Sequence, residues 1–393
     1  MAEVSGLPAT LTPPPQTKFY YPALTGVRAL AAYAVFFHHF NPFKDATSEL
    51  GISLYELTHQ LHIGVAVFFV LSGFLITSRY SAGLKLSWNW AKRYIQNRFA
   101  RIYPLYFVLT VLTFLAATRN PSYDISGLWG RAANYPGEKA LMVGLNLTFL
   151  RGFFEYFKFS GIMQGWTLTV EECFYLSAPL LLYGLHRSRK FLAFYPLLLL
   201  GIGFGLVLIC QSLPVAALSR FGLFGSPSFM LLQTFFGRST EFIAGMGLAL
   251  LLQRRTRVRH GFLILTVVGT ACIGACMLLL TQVSLPGANI TGFVAYQFAL
   301  VNNLLLPIGI VLLLWGLIAE PSWLRAGLST RWADLLGKSS YAFYLIHMGF
   351  LSVFLQTHVT ENLGLLFAIM VLVSIALYKF IEHPLQVRLA AHK

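Results

Sequence analysis

The sequence predicts an all-α polytopic membrane protein, and three observations carry that prediction. Hydrophobic residues make up 56% of the 393-residue chain and charged residues only 11%, an apolar excess that a soluble domain of this size does not need. The apolar residues gather in windows of about 20, the length a helix needs to cross ~30 Å of hydrocarbon. The 29 basic residues are segregated between alternate connections. The windows predict about ten transmembrane helices, at 21–40, 61–79, 102–118, 164–185, 192–210, 228–252, 262–281, 296–319, 339–357 and 363–382. With the N-terminus inside, 19 basic residues face the cytoplasm and seven the outer side, so the positive-inside rule puts both termini in the cytoplasm. The net charge of +15 is thereby a matter of topology, with membrane lipids as the surroundings and no nucleic acid as a partner.

Residues 1–17 include Pro13, Pro14 and Pro15 but no basic residue, which predicts a disordered tail and not a cleaved secretory signal. Residues 18–388 then form a single transmembrane domain, and 389–393 a C-terminal tail. The first window carries Arg28 and His39. Eleven residues at about 100° each bring the two side chains to one helix face within roughly 20°, about 16 Å apart along the axis. His38 lies about 80° round from them. Ionisable side chains at such depth cost several kcal/mol and usually serve a purpose, although a snorkelling Arg and a hydrogen-bonded core His are the plainer alternative.

The second window holds the run Gly64 to Thr77, whose Ser72-Gly73 step lets a helix or a ligand chain approach the backbone. Ahead of the third, Arg98 and Arg101 stand one turn apart beside Tyr103-Pro104; guanidinium forks at that spacing suit a polyanion such as phosphate. A positive-inside anchor accounts for the charge but not for the spacing. The segment 140–150 is apolar but short, and reads as interfacial or re-entrant.

Trp166 opens the fourth window, in which Thr167, Glu171 and Tyr175 share a face while Glu172 points about 100° away. Gly201 and Gly205 make one small-xxx-small spacing. In the ninth window Ser340, Tyr344 and His347 line one face, and Glu382-His383-Pro384 closes the last helix. The four cysteines all fall in apolar stretches. Cys272 and Cys276 are one turn apart without a His or carboxylate beside them, so no metal site is expected.

The first helix runs outward, which sets Arg28 in the inner half and His39 near the outer edge. The fourth runs inward and brings Glu171 and Glu172 near the level of His39, while the Arg pair sits on the cytoplasmic face. Two ligands approaching from opposite faces are implied.

Taken in order, these runs resemble the integral-membrane acyltransferase 3 family of bacterial O-acyltransferases. The likeness extends from Leu24 to about Arg388. The family's basic residue and His separated by ten positions fall on Arg28 and His39, and its Arg-x-x-Arg on Arg98 and Arg101. The runs from Phe68 to Leu75 and from Trp166 to Tyr175 are the more specific signals.

The resemblance implies an acyl-CoA-dependent O-acyltransferase of the bacterial cytoplasmic membrane. It would acetylate a hydroxyl of a glycan or lipid-linked glycan, with acetyl-CoA as co-substrate and no tightly bound cofactor. His39 would be the base, with Arg28 on its face and Glu171 as its orienting carboxylate. Arg98, Arg101 and Ser72 would hold the donor, supported by Trp166, Glu172, Tyr175, Tyr344 and His347. Two departures stand out: Ala66 where many relatives carry an acidic residue, and Gly349 where they carry Pro. The short C-terminus matches the stand-alone form. A lipid, macrolide or other small-molecule acceptor would use the same residues. A transporter or flippase would also bury Arg, His and Glu, but should show internal repeats, and none is visible.

Overall fold

The structure, a computed structural model, describes residues 20–81, 84, 87–254, 263–284 and 290–391. The expected tail at 1–17 lies outside the described residues. The main helices are α1 (Pro22–His39), α2 (Glu49–His59), α3 (Gly64–Tyr80), α4 (Trp88–Arg119), α5 (Glu138–Leu147), α6 (Trp166–Arg187), α7 (Phe191–Ser212), α8 (Pro227–Gln233), α9 (Phe235–Arg254), α10 (Ile264–Val283), α11 (Gly292–Ala319), α12 (Arg331–Ile346), α13 (Phe350–His358) and α14 (Leu363–Leu389). No strand occurs among the described residues, and the single isolated bridge pairs Phe154 with Leu223.

Several helix starts are set by side chains that satisfy otherwise orphaned backbone N–H groups. Ser87 accepts from Trp90 N at 3.3 Å, Ser226 from Phe229 N at 3.1 Å, Thr330 from Ala333 N at 3.2 Å and Asn362 from Leu365 N at 3.0 Å. Pro22 occupies the first turn of α1, where its missing N–H costs nothing.

Seven helical stretches among the described residues are long and apolar enough to cross a membrane: Glu49–Tyr80, α4, α7, Pro227–Gln253, α10, α11 and α14. The chain is a multi-pass membrane protein by that measure, but the expected count of ten is not reached. Windows 21–40 and 164–185 fold as α1 and α6, diluted in apolarity by Arg28, His38 and His39 and by Glu171 and Glu172.

The expected span 339–357 is not one helix. It begins at Arg331, stops at Ile346 and resumes at Phe350. Gly349 causes the break, with φ 146° and ψ −162°, a conformation open to Gly alone. Proline, fixed near φ −65°, could not stand there, so the family's Pro and this Gly require different backbones.

Pro384 likewise does not end the last helix, which runs on to Leu389. A π-helical segment at Tyr378–Glu382 directly precedes it, and another at Leu300–Leu305 precedes Pro307. Proline leaves one carbonyl in the preceding turn unbonded and clashes with it. The widened turn accommodates both, so the helix continues.

Membrane helices gain no hydrophobic driving force from one another and rely on close backbone contact. Here that contact comes from reciprocal glycines. A Cβ on Gly73 of α3 would strike Phe242 O of α9, and one on Gly245 of α9 would strike Val70 O of α3. Gly337 of α12 similarly meets Thr25 O of α1, and Gly64 meets Ala31 O. The Ser72-Gly73 step therefore admits a helix. Gly201 and Gly205 do not form the expected contact, since nothing lies within 4 Å of either missing Cβ; Gly203 between them packs on Met230 and Phe236. Gly73→Leu is expected to cost at least the ~1–3 kcal/mol of an overpacked core, seen as loss of monodisperse protein from membrane extracts. Gly201→Leu should accumulate normally.

Candidate active site

Helices α1, α3, α4, α6 and α12 enclose a cavity of about 140 Å³. Arg28 enters it from α1, Ser72 from α3, Arg98 and Arg101 from α4, and Tyr344 from α12. Thr167, Glu171 and Tyr175 enter from α6, as their i, i+4, i+8 spacing predicts. Glu172 and Trp166 do not line it. The lining carries three guanidinium groups against one carboxylate.

Those groups are not equally satisfied. Arg101 is paired, 3.5 Å from Glu382 Oε1 and donating to Gln386 Oε1 at 3.2 Å, both from the end of α14. Arg98 lies over the rings of Tyr80 and Tyr175, at 5.8 and 5.7 Å, with its Nε buried and unbonded. Among the described residues neither Arg28 nor Arg98 has an ion-pair partner. Glu171 Oε1 accepts from Ser72 Oγ at 2.6 Å and from Tyr175 OH, so neutral donors hold the carboxylate in place. Ser72, expected to face the donor, lines the cavity with its hydroxyl already committed to Glu171.

His39 stands at the other end of α1, exposed. No hydrogen bond or ion pair joins it to Glu171. Its ring neighbours are other histidines: His38 at 4.7 Å and His347 at 5.5 Å between centroids. His38 in turn meets His59 at 4.8 Å and His62 at 5.4 Å. Among the described residues no group of His, Cys, Asp or Glu is arranged to hold a metal ion. His347 is fully buried; its Nδ1 donates to Tyr344 O at 2.8 Å, and its ring stacks on Phe343. Tyr344 both lines the cavity and lies 5.5 Å from the His347 ring, so one pair of residues separates the cavity from His39.

The face shared by Ser340, Tyr344 and His347 is thus half used. Ser340 folds back onto Gly337 O at 2.8 Å, inside the core. Ala66, at the position of the relatives' acidic residue, is completely buried.

Three polar groups escaped the sequence reading. Arg151, one of the seven basic residues that the positive-inside count sets on the outer side, is fully buried and bonded to Asn146 Oδ1 at 2.7 Å and to the carbonyls of Ser160 and Ile162. It ties the short helix α5 and the following loop to the start of α6. Arg238 and Glu241 form a buried bidentate pair at 2.7 and 2.8 Å. Opposite charges three apart in an apolar window were a legible signal for that pair. Gln164 donates to Tyr344 O and is almost wholly buried, and no pattern in the sequence marks it.

The acyltransferase domain family matches residues 21–379, nearly the whole chain. Acyltransferase MdmB of Streptomyces mycarofaciens is 27% identical over 347 residues, 83% of this chain and 78% of that protein. Peptidoglycan O-acetyltransferase OatA of Listeria monocytogenes serovar 1/2a is 29% identical over 200 residues, 48% of this chain and 28% of that protein. The putative peptidoglycan O-acetyltransferase YrhL of Bacillus subtilis (strain 168) is 28% identical over 247 residues, 59% and 33% of the two chains. The chain thus spans only about a third of the peptidoglycan relatives it matches. No solved structure matches it. With its first-helix Arg and His, its Arg pair and its acidic sixth helix all inside the matched region, this chain belongs to the acyltransferase 3 family.

Proposed function

We propose that the protein is an acyl-CoA-dependent O-acyltransferase that acetylates a hydroxyl of a cell-surface or exported glycan, in the cytoplasmic membrane of a bacterium. One observation carries the reading most: Arg28 and Arg98 line an interior cavity, and among the described residues neither forms an ion pair, while the single carboxylate of that lining, Glu171, is bonded to neutral donors. Unpaired guanidinium groups in a membrane interior are costly, and a polyphosphate ligand would offset that cost. In coenzyme A the charged groups lie at one end and the thioester at the other. With phosphates at the arginine end, the pantetheine arm points along the cavity towards Thr167 and Tyr344, beyond which lie His347 and His39.

The chemistry follows from the imidazole. A sugar hydroxyl is a poor nucleophile, and a neutral imidazole takes its proton as the oxygen attacks the thioester carbonyl. The carbon–oxygen bond forms, the carbon–sulfur bond breaks, and the imidazolium returns the proton to the departing thiolate. His39 is the base in this reading, exposed so that an acceptor can reach it. Glu171 shapes the donor cavity and faces Arg28. The names of the peptidoglycan relatives support a glycan acceptor.

Release of CoA thiol from acetyl-CoA by the purified protein, dependent on added glycan, tests the reading. Arg98→Ala with Arg101→Ala is expected to raise KM for acetyl-CoA at least about 10-fold, in line with the ~1.5–3 kcal/mol of a charge-assisted hydrogen bond, with kcat less affected. An unchanged KM would overturn the assignment of the cavity to the donor. Acetyl transfer to a lipid or macrolide and not to glycan would change the acceptor alone. Glycan transport without thiol release would replace the enzyme by a transporter.

A further inference from the structure

Histidines crowd the outward end of α1, and the hydrogen bonds around them fix which nitrogen carries the proton. A backbone carbonyl can only accept. The ring nitrogen bonded to it must therefore be the N–H, and in a neutral imidazole the other nitrogen is then a bare lone pair. His347 Nδ1 bonds Tyr344 O at 2.8 Å, so Nε2 is bare. It is also buried and without a partner, in a residue of 0% exposure. Leaving an acceptor unsatisfied in the interior costs roughly 1–3 kcal/mol. Nothing in the packing requires that sacrifice, because an apolar side chain would fill the same site.

Among the ring neighbours of His347, the one with an uncommitted N–H is His39. Their rings are 5.5 Å apart and inclined by 32°. Among the described residues His39 makes no hydrogen bond, so either of its nitrogens is free to carry the proton. We propose that His347 is the positioning residue of His39: it accepts a hydrogen bond at Nε2 from one nitrogen of His39, which leaves the other nitrogen bare and turned towards the acceptor hydroxyl. The inference rests on the assignment of His39 as the base.

It also answers a question raised by the chain itself. Among the described residues no carboxylate is bonded to His39: Ala66 stands where the resemblance implies an acidic residue, and Glu171 is held by Ser72 and Tyr175. A second imidazole, fixed by its own bond to the chain, takes the orienting part. When His39 gains the hydroxyl proton, its positive charge is shared across the bond to Nε2. Hydrogen bonds of this kind are often long in a free enzyme and close when substrate binds, and a rotation of the exposed His39 ring closes this one. The break after Ile346 has a use in this light. Ending α12 there, with Gly349 at φ 146°, directs the next residues away and leaves His347 at the helix terminus facing α1.

The test exploits two amides that mimic opposite halves of an imidazole. In His347→Asn the amide N–H replaces Nδ1–H on Tyr344 O, but nothing replaces Nε2. In His347→Gln the amide oxygen reaches the place of Nε2 and accepts from His39. Positioning by Nε2 predicts that His347→Asn lowers kcat about 100-fold while KM for acetyl-CoA stays within about twofold. His347→Gln should recover kcat to within about 10-fold of wild type. A merely structural role predicts equal losses in both, with KM rising alongside. Either that result or full activity of His347→Asn overturns the proposal.

Two further variants keep the test decisive. His38 is the other histidine against His39, partly exposed, and His38→Ala tolerates truncation more readily than any change at buried His347. Its activity should remain substantial; a loss as large as that of His39→Ala would assign the positioning to His38. His39→Ala separates the two readings. If it stays active, the assignment of the base has failed. If it is dead while His347→Asn and His347→Gln both match wild type, only the present inference has failed.

Discussion

Purified protein carrying His39→Ala is expected to lose glycan-dependent release of CoA thiol by at least the 10²–10⁴-fold typical of a removed general base. It should still accumulate in the membrane. The side chain is exposed at the end of α1, and its ring contacts are to other imidazoles, so its removal leaves no buried cavity and strands no charge. Binding of acetyl-CoA should persist, because Arg28, Arg98 and Arg101 belong to the far side of the cavity. That combination, donor bound but not consumed, distinguishes a lost base from a lost fold. The two positions are eleven residues, or about 16 Å, apart on one helix, so a donor with charge at one end and a reactive carbonyl at the other matches the separation. Equal activity of His39→Ala and wild type would sink the assignment.

How far the sequence reached depended on whether the signal was local. Helical periodicity is local, and the shared face of Thr167, Glu171 and Tyr175 became three walls of one cavity. Arg28, Arg98 and Arg101 met there as well, from two helices whose motifs had been read separately. Contacts between helices left no such trace. His38, His39, His59, His62 and His347 are scattered over more than 300 positions and carry no common spacing, yet the last three all pack against His38 or His39. Arg151 read as one more loop charge because burial by carbonyl oxygens depends on a loop conformation that periodicity does not encode. Proline misled in the opposite direction. Pro384 is a helix breaker by local rule, and the π-helical turn before it suspends that rule. Spacing pointed to Gly201 and Gly205, which make no close contact, whereas the Ser72-Gly73 step was legible but its partner Gly245, on another helix, was not.

Glu171→Gln is expected to reduce kcat/KM for acetyl-CoA by about 10–100-fold, the scale of a lost charge-assisted interaction, and Glu172→Gln by much less. The two neighbours differ in what they touch. Glu171 lies in the cavity, with Ser72 Oγ at 2.6 Å and Tyr175 OH donating to the same oxygen, and it is the only carboxylate in a lining that holds three guanidinium groups. Glutamine keeps an oxygen for Ser72 and Tyr175, but it removes the negative charge facing Arg28. With that charge gone, the cavity holds three cations and no anion, and Arg28 should move to the next available counter-charge. Glu382, already 3.5 Å from Arg101, is the candidate. Removing the one carboxylate among interior cations costs up to about 3–5 kcal/mol when a charge is left uncompensated, so the variant must first be shown to be monodisperse. In folded protein the location of the damage is informative. A fall in kcat with KM unchanged would return Glu171 to the orienting of His39, through movement that brings them together on substrate binding. A rise in KM for acetyl-CoA is the expected result, since Glu171 and Arg28 share the cavity proposed for the donor. Should Glu172→Gln prove the more damaging of the two, the division of the sixth helix into a cavity face and an outer face is wrong, and Glu172 takes the role.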